Sequence, residues 1–157
     1  MPLPEETQGL LLVARGAEVP SWLDTPCLTP LEQSVEESML LFGERACEWL
    51  AFRPTVAHVV VALATETLGG VESGLAQFGL RLAKSLASRQ KARLLLCVPA
   101  EVTERQRKAL LSLTGELAKV ATPQSSVVVG AHFSARPPPS GTLPIHVLGP
   151  AKNHGSD

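Results

Sequence analysis

The sequence predicts an α/β protein: a three-layer αβα sandwich around a mostly parallel sheet of four to five strands, in the order βαβαβαββ. Three observations lead there. The runs from Val59 to Ala64 and from Ala92 to Val98 are apolar without period-two alternation, Arg93 apart, as in strands covered on both faces. Apolar residues then recur every three or four positions between such runs, the spacing of helices with one buried stripe. Turn and capping residues separate the two kinds of segment, so strands and helices alternate along the chain.

In order, Leu10 to Ala14 is a short apolar run closed by Gly16 and reads as the first strand. Residues 17–28 hold two prolines and no period, which describes a loop with Trp22 and Leu23 folded back on the body. Thr29-Pro30-Leu31-Glu32 has the form of a helix start: a Thr cap, Pro in the first turn and Glu three residues on. Leu31, Val35, Met39, Phe42, Ala46 and Trp49 extend it as one stripe, ended at Phe52-Arg53-Pro54 because the residue before a proline is pushed out of the α region.

After the central strand, Thr65-Glu66-Thr67-Leu68-Gly69-Gly70 turns the chain into a second helix from about Gly70 to Ser88, with Leu75, Phe78, Leu82 and Leu86 inward. Thr103-Glu104-Arg105-Gln106 is a second capping pattern, opening a third helix with Leu110, Leu113 and Leu117 inward. Ser126 to Val129 reads as the fourth strand, Pro137-Pro138-Pro139 as an extended connection without ladder donors, and Pro144 to Leu148 as a short edge strand. Residues 1–148 form one domain on this reading, and 149–157 a frayed tail.

Composition narrows the function classes. The longest apolar runs fall far short of the roughly 20 residues of a membrane span, and the amino end has no signal-like pattern, so no membrane association and a reducing, cytoplasmic setting are expected. Cys27, Cys47 and Cys97 make an odd count without Cys-x-x-Cys spacing, which fits neither a disulfide framework nor a zinc knuckle. Residues 1–72 hold eleven Asp and Glu against three Lys and Arg, and residues 73–157 four against eleven. Such polarity favours internal pairing or association with another protein, as a homo- or hetero-oligomer.

Parallel strands direct all their carboxyl ends to one rim, which collects Arg15 and Glu18, then Thr65, Glu66 and Thr67, then Glu101, then His132 and Arg136. Gly69 and Gly70 offer bare backbone N–H groups at a helix start, but the phosphate-loop and dinucleotide patterns are absent, no Lys or Arg lies between Thr65 and Leu80, and Glu66 and Glu72 repel an anion. Glu66 and His132 are the residues for an acid/base pair. Two ligands do not hold a catalytic metal, so neither a metal nor a cofactor is expected. The turn ALATETLGGVESG is similar in shape to the Gly-rich turn of hydrogenase-maturation peptidases, but it lacks their Asn and Asp-Asp-Gly residues, and no Asp lies between Asp24 and Asp157 to serve as a later ligand. Membership of that family is not expected. The basic groups Arg89-Lys91-Arg93 and Arg105-Arg107-Lys108 fall on opposite rims without interleaved aromatics, which speaks against nucleic acid.

Two functions are therefore in view. The first is a non-catalytic accessory subunit, adaptor or assembly factor that meets a basic protein surface through an acidic helix face of Glu36, Glu37, Glu44 and Glu48, with Trp22 as an apolar anchor. The second is a small α/β enzyme or ligand-binding protein using Thr65, Thr67, Gly69, Gly70 and Glu101, with Glu66 and His132 as catalytic groups. An open pocket at the rim favours the second.

Overall fold

The computed structural model describes residues 9–65, 74–119, 127–133, 136–139, 142–143 and 147–148. Five strands, β1 (Gly9–Val13), β2 (Leu28–Glu32), β3 (His58–Ala62), β4 (Ala92–Cys97) and β5 (Val127–His132), form one all-parallel sheet in the order β2-β1-β3-β4-β5. Among the described residues three α-helices, α1 (Met39–Ala51), α2 (Ala76–Leu86) and α3 (Glu104–Ala118), connect them, so the α/β sandwich with a parallel sheet is the observed fold. Val59, Val60, Val61 and Ala62 of β3 have no exposed surface, as the missing alternation required.

The order of the strands decides where the helices go. From β2 through α1 to β3, then through α2 to β4 and α3 to β5, the chain always steps toward the same edge, and right-handed crossovers then place all three helices on one face. There Phe42, Ala46 and Leu50 of α1, Phe78, Leu82 and Leu86 of α2, and Leu110 and Leu117 of α3 pack on Leu10, Leu12, Val59, Val61, Leu94 and Leu96. The step from β1 to β2 runs the other way, so its connection crosses the opposite face. Trp22, Leu23, Leu28, Leu143 and Val147 cover Leu11, Val60, Leu95 and Cys97 there, and the third layer of the sandwich is built without an α-helix among the described residues. The Asp24 N–H donates to the Val147 carbonyl at 3.0 Å and ties the two covering segments together.

Two local expectations are corrected. Residues 28–32, read as a helix start, are the edge strand β2, paired in register with β1 from Gly9↔Leu28 to Val13↔Glu32. The capping pattern is worth only about 1 kcal/mol, and a strand here buries Leu28 while completing the outward ladder of β1. Pro30 fits because its missing N–H faces away from β1. The helix begins instead behind Ser38, whose hydroxyl accepts from the Leu41 N–H at 3.1 Å, so Leu31 and Val35 are not on it and Val35 is 82% exposed. Of the expected edge strand from Pro144 to Leu148, residues 144–146 lie outside the described part, and 147–148 form a turn on the covering face. The cap at Thr103 is as expected: its hydroxyl accepts from the Gln106 N–H while the Gln106 side chain accepts from the Thr103 N–H.

Candidate functional site

In a sheet of this order the strand sequence reverses between β1 and β3, and the loops leaving their carboxyl ends diverge to opposite faces. A crevice opens between them by construction. It is a cleft of about 480 Å³, lined by residues 16–21 after β1, by Leu63, Ala64 and Thr65 after β3, and by Cys97 to Glu101 at the end of β4. Gly16, at φ 82°, adopts the left-handed conformation that turns the chain away from β1 and into the cleft wall.

Thr65 and Glu101 lie where the rim argument put them, and both line the cleft. Glu66, Thr67, Gly69 and Gly70 lie outside the described residues. Glu18 joins Glu101, so among the described residues the ionisable side chains lining the cleft are two exposed carboxylates and the Cys97 thiol. Burial pushes that thiol up to about 12, which leaves it protonated and unreactive at neutral pH. Arg15 follows β1 but turns away, its guanidinium donating to the Ser34 carbonyl at 2.8 Å and to the Glu37 carbonyl at 2.6 Å.

His132 is not brought to the cleft. It ends β5, its Nε2 bonds the Arg136 carbonyl, and its ring stands edge-on to Trp22 at 5.6 Å. Trp22 in turn is only 6% exposed, a core residue rather than a surface anchor, and its Nε1–H has no partner among the described residues. Sequence reasoning passed over Ser21 and Pro99, which line the cleft through loop geometry and have no motif to announce them.

The four acidic residues expected on one helix face are dispersed. Glu36 and Glu37 precede α1. The Glu37 side chain is only 12% exposed and accepts from Arg45 Nε at 2.9 Å and Nη2 at 2.8 Å. Glu44 pairs with Arg81 of α2 at 3.5 Å, while Glu48 is exposed. The Arg45 hydrogen bond, followed by that from the Ser34 N–H, holds the Glu37 carboxyl below its ordinary 4.5 against the opposing effect of burial. A carboxylate lowered in the folded state stabilises above its unfolded value, and that contribution is lost as pH falls through the folded value. Arg45→Met is therefore expected to move Glu37 titration upward and to remove this part of the acid sensitivity, as read by NMR of the Glu37 carboxyl carbon.

A depression at the opposite rim, lined by Pro54, Thr55, Ala57, Ser88, Arg89 and Gln90, has a volume of about 480 Å³ as well, but its one guanidinium is engaged by the backbone carbonyls of Leu50, Arg53 and Val56. Among the described residues no group of three His, Cys, Asp or Glu is placed to hold a metal ion, and no helix is long and apolar enough to cross a membrane. Comparison with protein-family models, with curated proteins and with solved structures finds no match for this chain.

Proposed function

We propose that the protein binds a small neutral or positively charged ligand in the cleft between the carboxyl ends of β1, β3 and β4. The observation that supports this reading is the coincidence of a cleft of about 480 Å³ with the reversal point of the strand order, where open parallel sheets keep their ligands. The charge of the ligand follows from the walls. Glu18 and Glu101 attract a cation or accept hydrogen bonds from a polyol, no Lys or Arg among the described residues lines the cleft to hold an anion, and Arg15 is engaged elsewhere. Thr65 and Ser21 add hydroxyls for orientation. The reading is one of binding rather than covalent catalysis, since Cys97 is held protonated. It is preferred to the acidic-helix adaptor because Glu37 and Glu44 already have cationic partners within the molecule.

The test is thermal unfolding against matched probes: putrescine, spermidine and glycerol on one side, inorganic phosphate and ATP on the other. A bound probe at 100-fold excess over its dissociation constant adds about 2.7 kcal/mol, a rise in Tm of roughly 5–10 °C for a domain of this size. Stabilisation by an amine or polyol that the double variant Glu18→Gln, Glu101→Gln removes is the expected result. Stabilisation by phosphate or ATP alone would refute the assignment of charge.

A further inference from the structure

The two edges of the sheet are finished differently. In a parallel strand, alternate residues direct both main-chain groups to the same side. On β2, Gln33 N–H donates to the Val13 carbonyl, so Thr29 and Leu31 face β1 and Leu28, Pro30 and Glu32 face outward. That outer edge is blunted: Pro30 has no N–H to offer, and the Glu32 carbonyl accepts from Arg45 Nη2 at 2.6 Å. On β5, the His132 carbonyl accepts from the Val98 N–H, so Val128, Gly130 and His132 face β4 and Val127, Val129 and Ala131 face outward. Among the described residues nothing bonds the outward groups of Val127, Val129 and Ala131. The strand VVVGAH holds no proline, lysine or carboxylate to blunt that edge.

Apolar surface flanks the open edge on both faces. On one face Val128 is 51% exposed. On the other, Arg107 of α3 stacks on Phe133, the residue after β5, at 4.4 Å, and Leu111, one turn further along the same flank of α3, is also 51% exposed.

We propose that β5 is the dimerisation edge of this protein, pairing antiparallel with β5 of a second copy about a two-fold axis so that the two sheets become one. A second copy is the occupant that fits, because the strand is complementary to itself. With Val129 opposite Val129, each outward residue meets an outward residue: Val127 faces Ala131 of the second copy, and main-chain groups bond in reciprocal pairs. In the same register the exposed Val128 lies across from Gly130 of the second copy, a large side chain over a residue that has none. The strand carries no formal charge, so self-pairing sets no like charges opposite each other.

Sedimentation equilibrium of the full chain over a dilution series tests this, together with hydrogen exchange of the outward amides. The wild type is expected to have twice the monomer mass at the concentrated end. Val129 and Ala131 amides should then be protected, and should lose protection on dilution. Val129→Pro copies the Pro30 device onto β5 and removes only an outward donor; Val128→Lys changes an exposed side chain and covers the case in which the proline variant does not fold. Both are expected to be monomers with unchanged circular dichroism. A wild type that is monomeric throughout, a dimer that survives both variants, or a dimer whose outward amides exchange freely overturns the proposal, and in the last two cases another surface joins the copies.

Discussion

Phe42→Ala is expected to destabilise the protein by about 3–5 kcal/mol, the usual cost of deleting a fully buried aromatic ring. Phe42 has no exposed surface and stacks on Phe78 of α2 with ring centroids 5.7 Å apart and an angle of 22°. The cavity would not close easily, because the helices around it are already at their closest approach. A Cβ at Gly43 would lie 3.1 Å from the Phe78 ring, and one at Gly79 would lie 2.9 Å from Leu117 Cδ1 of α3. Those glycines set the spacing of α1, α2 and α3, and Phe42 fills the space they leave. With total stability in the range of about 5–15 kcal/mol, the variant loses a fifth or more of it, readable as a shift of the urea midpoint at constant slope. Phe42→Leu, which keeps most of the volume, should cost well under half as much. A Phe42→Ala protein within about 1 kcal/mol of wild type would mean that the three helices do not share one packed layer.

That layer shows what the sequence could and could not disclose. Phe42, Ala46, Phe78, Leu82, Leu110 and Leu117 were legible as buried stripes, since a period near 3.6 depends only on the segment itself. The strands β3 and β4 were legible for a similar reason, and the rim argument placed Thr65 and Glu101 in the cleft from strand direction alone. What escaped depends on relations between segments. Whether residues 28–32 make a helix or a strand is decided by β1, whose outer edge they complete, and not by their own capping pattern. That α1, α2 and α3 share one face follows from the direction of three crossovers, which requires the strand order. His132 stands at the rim, as the last residue of β5 in register with Cys97, but Trp22, folded across the sheet from the first connection, meets its ring and it does not line the cleft. Charge was the least legible of all: the acidic count in residues 1–72 is real, yet Glu37 and Glu44 are neutralised by Arg45 and Arg81 through contacts no spacing rule predicts.

The cation Arg89 makes the same point with a larger energy. In the sequence it belongs to a basic group with Lys91 and Arg93, ahead of β4. In the structure its guanidinium is a clamp: Nη2 donates to the Leu50 carbonyl at 2.8 Å, and Nη1 donates to the carbonyls of Arg53 at 2.8 Å and Val56 at 2.6 Å. Leu50 lies in the last turn of α1, where carbonyls lack helical partners and the helix dipole favours a positive charge, and Val56 leads into β3. Burial lowers the pKa of Arg89 from its ordinary value, yet a guanidinium remains charged at any pH the fold withstands. Arg89→Met is therefore expected to cost about 2–4 kcal/mol, because it removes three charge-assisted hydrogen bonds and takes from the buried Val56 its guanidinium donor, while the Leu50 and Arg53 carbonyls keep the Arg53 and Val56 N–H groups. Arg89→Lys should recover less than half of that, since a single ammonium cannot reach three carbonyls that diverge as these do. Urea denaturation of the two variants separates charge from geometry. Equal stability of the lysine variant and the wild type would assign the whole effect to the dipole, whereas an undiminished methionine variant would mean that water replaces the clamp and that Arg89 is the surface cation its sequence neighbours suggest.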